Sequence, residues 1–182
     1  MKTTKSILGV TALFVAANLA QAQEINYNYA ELRYLDSEIG NADGDGIEIA
    51  GSYQIDPEWL VIGSYSSQDF GFADWDVLEA GIGYILPDVN GFNLMSSISI
   101  IDSEFGNDDD NGVRLSTGVR TELTNQLEGR AFINYLNIDG SDLFVELGAD
   151  YFFSPQIAAG AEVQLGSDTD TFSIGVRWFY DR

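Results

Sequence analysis

Apolar and polar side chains alternate along most of this chain, and residues 112–123 show the alternation clearly. Every second position there is charged, polar or glycine, and apolar residues such as Val119 lie between them. The positions are Arg114, Ser116, Gly118, Arg120 and Glu122. Because successive side chains of a strand point to opposite faces, this stretch predicts a β-strand with one charged face and one apolar face.

Ten stretches share this pattern, and each is closed by Gly, Asp, Asn or Pro, which is typical of consecutive hairpins. They are residues 25–36, 46–55, 59–68, 75–86, 91–102, 112–123, 127–138, 142–153, 157–167 and 171–180. We therefore predict an all-β fold of ten antiparallel strands in up-and-down order. Eight strands is the alternative, because the first and third stretches are the least regular.

The basic residues indicate that the charged face is enclosed. The chain has no lysine after Lys5, and its arginines before the last residue all lie mid-strand near Glu or Asp. Water-facing sheets usually carry lysine, whereas arginine paired with carboxylates suits a partly desolvated space. We expect a barrel whose lumen holds a charge network made of Glu31, Arg33, Glu48, Glu79, Arg114, Arg120, Glu122, Glu128, Arg130, Glu146, Asp150, Glu162 and Arg177.

The opposite face of the strands is apolar, as Leu143, Val145 and Leu147 illustrate. A charged Arg or Lys on the lipid face at the bilayer midplane would cost about 2–4 kcal/mol. The exclusion of charge from this face therefore predicts a transmembrane β-barrel. Aromatic residues are expected to form an interfacial girdle at each end, one with Tyr53, Trp59, Tyr84, Phe92, Tyr151, Trp178 and Tyr180 and the other with Tyr34, Tyr65, Tyr135 and Phe172.

The connections between the predicted strands alternate in character. Every second connection is a short turn, and Pro57, Pro87 and Pro155 all lie in these turns. The other connections are acidic and several are long, as in residues 36–45 and 103–111. Outer-membrane barrels place short turns in the periplasm and longer loops outside. We therefore predict periplasmic termini and acidic extracellular loops.

The first 22 residues predict a signal peptide, with a basic start at Lys2 and Lys5, an apolar run over 6–19 and an Ala-Gln-Ala cleavage site at 20–22. The alternative, a transmembrane anchor, needs about 20 apolar residues, and this run is shorter. We expect export, removal of residues 1–22, and an outer-membrane β-barrel domain over residues 23–182.

The charge of the mature chain limits its partners. The chain has 29 acidic and 8 basic residues, and loss of Lys2 and Lys5 leaves 6 basic residues and a net charge of −23. This surplus disfavours nucleic acid and disfavours bare anionic lipid unless divalent cations bridge the two. The expected partners are outer-membrane lipids, including lipopolysaccharide through divalent cations, and the sequence leaves the oligomeric state open.

The last predicted strand ends on a polar residue, a glycine and two aromatic residues in alternate positions: Ser173, Gly175, Trp178 and Tyr180. This pattern resembles the C-terminal signal of bacterial outer-membrane barrels, which the barrel assembly machinery recognises. With the signal peptide and the hairpins, the mature chain resembles the small outer-membrane β-barrel family of the OmpX, OmpA-barrel and opacity-protein type. Two departures are Asp181 and Arg182 after the last aromatic residue, and ten predicted strands where eight are common.

The chain contains no histidine and no cysteine, so the residue pairs that usually activate a nucleophile or a water are absent. Barrel proteases, palmitoyltransferases and deacylases of similar architecture each rely on a histidine. We expect no catalytic residues, although a carboxylate pair acting alone is conceivable. No cofactor is expected.

One acidic segment resembles half of a calcium loop. Asn41, Asp43 and Asp45 precede Gly46, but the twelfth position is Ser52 where a bidentate Glu is required. We therefore expect solvated acidic residues and no specific metal site, with these three residues as weak candidates.

Two functions of different kinds follow for the barrel. The first is a structural or surface-interaction role with a side-chain-filled lumen, and the second is a narrow cation-preferring channel of the porin kind. An adhesin and a soluble secreted barrel are further alternatives. The sequence does not identify a transported solute or a surface partner.

Overall fold

The computed structural model describes residues 25–180, except 41, 90, 91, 139 and 168. The predicted signal peptide, residues 1–22, therefore lies outside the described residues. The described part forms ten strands: β1 (Tyr29–Ile39), β2 (Ala42–Gln54), β3 (Trp59–Asp69), β4 (Asp74–Val89), β5 (Phe92–Phe105), β6 (Asp108–Thr124), β7 (Leu127–Asn137), β8 (Ser141–Ser154), β9 (Ile157–Leu165) and β10 (Thr169–Phe179).

The ten strands form one closed antiparallel barrel. Each strand pairs with the strand before and after it, and β1 pairs with β10 to close the sheet. The prediction of ten up-and-down strands is confirmed, and the alternative of eight is wrong. None of the described residues forms a helix long and apolar enough to cross a membrane.

The register places alternate side chains inside and outside. On β1, Glu31 and Ser37 are buried inside, whereas Leu32 and Tyr34 between them are exposed outside. Arg33 lies opposite Glu48 on β2 and opposite Gly175 on β10. The polar face of the alternating pattern is thus the inside of the barrel.

The outer surface carries a band of exposed apolar side chains. It includes Leu32, Ile47, Ile49, Leu78, Ile82, Ile98, Ile100, Leu115, Ile133, Leu143, Val145, Ile174 and Val176. Tyr53, Trp59, Tyr151 and Trp178 are exposed toward one end of this band, and Tyr34, Tyr65, Tyr135 and Phe172 toward the other. Such a surface suits hydrocarbon bordered by two interfacial girdles.

The two ends of the barrel differ. The turn end holds residue 25, residue 180 and the connections β2–β3, β4–β5, β6–β7 and β8–β9. The rim end holds the other five connections, where Gly40, Gly71, Gly106 and Gly140 adopt positive φ. Positive φ is easily reached only by glycine, so glycine allows the chain to reverse at these sites.

The acidic connections are not long loops as predicted, because the strands continue through the acidic segments. Asp36 pairs with Asp45 across β1 and β2, and Glu104 pairs with Asp109 across β5 and β6. The acidic side chains therefore lie on strand ends, which we call the acidic rim. It consists of Asp36, Glu38, Asp43, Asp45, Asp69, Asp74, Asp76, Asp102, Glu104, Asp108, Asp109, Asp110 and Asp170.

The predicted start of the first strand is also wrong. Ile25, Asn26, Tyr27 and Asn28 alternate as a strand does, but β1 begins at Tyr29. The side chains of Ile25 and Tyr27 are buried in the turn end of the barrel. Asparagine side chains bond readily to nearby backbone, and the Asn26 side chain accepts a hydrogen bond from the Asn28 backbone N–H.

The first prediction concerns the lipid-facing band. Ile98 lies midway along β5 and is 49% exposed. We expect Ile98→Arg to lower the unfolding free energy of the barrel in lipid vesicles by about 2–4 kcal/mol, because the charge would lie in hydrocarbon. Urea unfolding followed by tryptophan fluorescence measures this loss. Ile98→Ala is the control, and an equal loss in both variants would contradict a lipid-facing position.

Candidate functional site

The lumen has two different walls. Strands β1, β2 and β7–β10 contribute most of its charged side chains, whereas β3–β6 contribute many small ones. The small ones include Ser64, Ser66, Ser97, Ser99 and Ser116. The interior therefore has room for the long side chains of the charged wall.

Arg130 on β7 binds three acidic side chains. Its Nη2 and Nε donate to Glu162 Oε2 at 2.7 and 2.9 Å. Its Nη1 pairs with Asp150, and Glu146 lies 3.7 Å from its Nε. Arginine can bind several carboxylates because its guanidinium presents five donors in a plane.

Arg33 and Arg177 extend this arrangement across the β1–β10 junction. Arg177 is only 2% exposed and pairs with Glu31 at 2.8 Å and Asp150 at 3.2 Å. Arg33 pairs with Glu31 at 2.9 Å and with Glu162 at 3.3 Å. Because each of these acids is shared by two arginines, the side chains form one connected cluster.

We call this cluster the lumen network. It consists of Glu31, Arg33, Glu48, Arg130, Glu146, Asp150, Glu162 and Arg177. Glu48 joins it through Arg33 at 3.3 Å. It links six strands, β1, β2 and β7–β10, and thus braces one side of the barrel from inside.

The remaining predicted lumen residues lie in smaller groups. Arg114 pairs with Glu79 at 2.7 Å, and Arg120 pairs with Glu128 at 2.6 Å. Glu122 is half-buried and lies opposite Glu128, next to a register shift between β6 and β7. The structure therefore brings eight of the thirteen predicted residues into one cluster and places the other five nearby.

Inward-facing glycines make room for the large lumen side chains. A Cβ on Gly148 would lie 2.7 Å from Arg130 Cζ, and a Cβ on Gly175 would lie 2.8 Å from Arg33 Cγ. A Cβ on Gly160 would likewise collide with the Asp150 carboxylate. Glycine on the polar face of a predicted strand was therefore a sequence signal for the positions of these side chains.

Two of the cavities lined by the described residues lie inside the barrel. One has a volume of about 150 Å³ and reaches toward the turn end, where Tyr27 and Ser52 line it. The other, of about 130 Å³, reaches toward the rim end, where Trp75 lines it. Glu48, Ser64, Glu79, Arg114 and Gln164 line both cavities. The two spaces are therefore adjacent, with charged side chains where they meet.

An apolar floor closes the turn end of the lumen. Ile25, Tyr27, Leu60 and Ile85 are buried together. Phe152, Ala158 and Phe179 form a second buried cluster beside it, against Tyr29. Alternation alone predicts residues 25–28 as part of a strand and not as part of this floor. The asparagines at 26 and 28, which favour turns, are the sequence signal for the difference.

Aromatic rings gather at the rim end of the lumen. Phe70 is buried and lies within 6.3 Å of the rings of Trp75 and Phe105, measured between centroids. Trp75 Nε1 donates to Ser103 Oγ at 2.9 Å. This cluster is not predicted from the sequence, because residues 69–74 and 103–111 are predicted to form loops.

The four residues of the predicted assembly signal lie on or next to β10. Ser173 is buried, Gly175 faces Arg33, and Trp178 is exposed outside. Tyr180 follows the strand, and its hydroxyl donates to the Ser52 carbonyl oxygen at 2.8 Å.

The weak metal candidates do not form a loop. Asp43 and Asp45 are exposed on β2, opposite Glu38 and Asp36, and Asn41 lies outside the described residues. Among the residues that the structure describes, no three acidic side chains are grouped so that they could hold a metal ion.

The fold is that of a bacterial outer-membrane β-barrel, a class defined by its closed antiparallel sheet, apolar exterior and polar interior. Solved structures share it at low sequence identity. An outer-membrane channel from Pseudomonas putida F1 matches with a TM-score of 0.53 and 8% identity, over 91% of this chain and 100% of that one.

Two further barrels match similarly. The KdgM porin in complex with disordered oligogalacturonate gives a TM-score of 0.52 and 9% identity, over 84% of this chain and 99% of that one. A de novo designed transmembrane β-barrel matches with a TM-score of 0.50 and 13% identity, over 87% of this chain and 100% of that one. No family model and no curated protein matches the sequence.

The second prediction concerns the lumen network. We expect Arg130→Met to lower the unfolding free energy by about 3–5 kcal/mol, because it removes the cation beside Glu146 and one of the two cations that Asp150 and Glu162 each contact, so buried negative charge is left poorly compensated. Arg114→Met is the matched control, since Arg114 has a 26% exposed side chain and one ion-pair partner among the described residues. Its decrease in unfolding free energy should be smaller. Urea unfolding and the temperature at which the folded band disappears on gels measure both. Equal losses would contradict a bracing role for the network.

Proposed function

We propose that this chain is an integral outer-membrane β-barrel with a structural or surface-interaction role and a lumen closed to solutes. The main support for this proposal is the lumen network, which fills one side of the interior. The apolar floor at the turn end adds a second obstruction. The absence of histidine and cysteine supports a role without catalysis.

The way in which the charges of the lumen network are compensated supports a structural role for the network. Buried ions lose hydration, and this cost is repaid only when each charge has several well-placed partners. Arg33, Arg130 and Arg177 each contact two or more carboxylates. A rigid barrel retains these contacts.

The second candidate function is a narrow cation-preferring channel. Its support is the pair of adjacent cavities, which meet at Glu48 and Glu79. The predicted lumen set holds eight acids and five arginines, and an acidic pore favours cations. Two of the similar structures are a porin and a channel, but at identities of 8–9% they bear on the fold alone.

The acidic rim is the proposed interaction surface. Asp36 lies directly opposite Asp45, and Glu104 opposite Asp109. Like charges opposite each other destabilise a strand pair, so cations between them would stabilise the rim. We propose that divalent cations bridge the rim to lipopolysaccharide phosphates, with the rim facing outside and the turn end facing the periplasm.

The last strand is the proposed signal for barrel assembly. Trp178 is exposed, and Tyr180 lies beside it with ring centroids 5.7 Å apart. Before the β1–β10 junction forms, β10 is an unpaired edge strand. The barrel assembly machinery would recognise this edge and its aromatic end while the chain is still open.

The third prediction tests whether the lumen conducts. We expect residues 23–182, refolded into a planar bilayer under a salt gradient, to give no discrete current steps, because side chains and the floor obstruct the lumen. Heat-modifiable gel migration verifies that the barrel is folded. Steps with a cation-directed reversal potential would refute the closed lumen, and reduced selectivity in Glu79→Gln or Glu146→Gln would establish the channel instead.

The fourth prediction tests the rim. We expect Mg²⁺ to raise the unfolding free energy of the barrel more in vesicles containing lipopolysaccharide than in neutral phosphatidylcholine vesicles, since it would bridge carboxylates and phosphates. Asp36→Asn combined with Asp45→Asn should reduce this gain. Na⁺ at equal ionic strength controls for screening. The same Mg²⁺ effect in both kinds of vesicle would exclude the proposed bridge.

A further inference from the structure

Residues 25–28 differ from the rest of the barrel because they occupy its turn end without joining the strand ladder. Tyr27 is 2% exposed and packs in the apolar floor with Leu60 and Ile85. Arg120 lies over its ring, with Cζ 4.5 Å from the centroid. The segment therefore closes the mouth of the barrel through side chains.

The hydrogen bonds that join the segment to Gln54, Tyr180 and Arg120 are shorter at Asn28 than at Asn26. Asn28 Oδ1 accepts from the Gln54 backbone N–H at 2.7 Å, and the Asn28 carbonyl accepts from the Tyr180 N–H at 3.2 Å. Asn26 Nδ2 donates to the Tyr180 carbonyl at 3.4 Å, and the Asn26 carbonyl accepts from Arg120 at 3.4 Å. The segment is thus attached to the barrel by short hydrogen bonds at Asn28, and the buried side chains of Ile25 and Tyr27 hold the part before it.

The space behind the segment is polar. Ser52 Oγ and Asn134 Nδ2 are buried beside the cavity of about 150 Å³ and have no hydrogen-bond partner among the described residues. Buried polar atoms in a cavity of this kind are normally satisfied by water. The buried side chains of Ile25 and Tyr27 therefore lie between this polar chamber and the solution at the turn end.

We infer that residues 25–28 are a detachable stopper that controls access to the lumen from the turn end. Predicted cleavage after Ala22 would place the segment two residues from the free end of the mature chain, so it can leave the mouth by rotating about Asn28 while every strand pair stays intact. Its departure exposes the chamber lined by Ser52, Glu48 and Glu79. The inference rests on the closed lumen proposed above and adds what closes it.

The fifth prediction uses the natural absence of cysteine. Ser52→Cys puts one thiol in the chamber, and a charged, membrane-impermeant methanethiosulfonate reagent measures its access in the refolded barrel of residues 23–182. We expect slow labelling in this parent, and at least tenfold faster labelling when Tyr27→Ala is added. Ile25→Ser is a second variant that loosens the stopper, should Tyr27→Ala fail to fold.

Two controls frame the experiment. Gln126→Cys, in the exposed β6–β7 turn, gives the rate for an accessible thiol. Tyr151→Ala removes an exposed aromatic side chain from the outer face of the same end and should leave the rate at residue 52 unchanged.

The results separate the stopper from the question of conduction. Labelling of the parent as fast as Gln126→Cys would overturn the inference, and so would equal rates with and without the stopper substitutions. Bilayer current tests whether the lumen conducts, whereas labelling at residue 52 tests what closes the turn end. Either proposal can therefore fail while the other stands.

Discussion

The pairing of buried charges inside the barrel is the constraint on which the other features depend. Carboxylates and guanidiniums that leave water must find partners. Arg33 pairs with an acid on its own strand, and Arg130 and Arg177 pair with acids on other strands. The network accounts for arginine in place of lysine and for glycine opposite the longest side chains. It also explains why one wall is charged and the other consists largely of small residues.

The outside of the barrel obeys the opposite constraint. Hydrocarbon cannot solvate polar groups, so each strand offers apolar side chains outward and every backbone group in the sheet must pair. Closure by β1 and β10 meets the second condition because no edge strand is left. The same alternation therefore suits both environments of the barrel. Each strand presents its apolar face to hydrocarbon and its polar face to the lumen.

The sequence was sufficient for whatever depends on alternation alone. Strand number, the inward set and the apolar band follow from period two, because a slip by one residue would exchange the faces. Residues 25–28 escaped prediction because Ile25 and Tyr27 are buried by a floor formed with the distant Leu60 and Ile85. The strand structure of the acidic rim was not predicted because acidic residues occur both in exposed strands and in loops. Only strand pairing, such as that of Asp36 with Asp45, distinguishes a strand from a loop here.

The position of the network relative to the β1–β10 junction has a consequence for folding order. Arg177 and Glu31 belong to the last and the first strand, and Arg33 meets Glu162 across the same junction. In an open sheet inside a membrane these charges would be separated, so burial of the charged wall and closure of the seam must occur together. The barrel therefore resists partial opening at the β1–β10 junction. Separating β1 from β10 would leave opposite charges apart in a medium that cannot hydrate them.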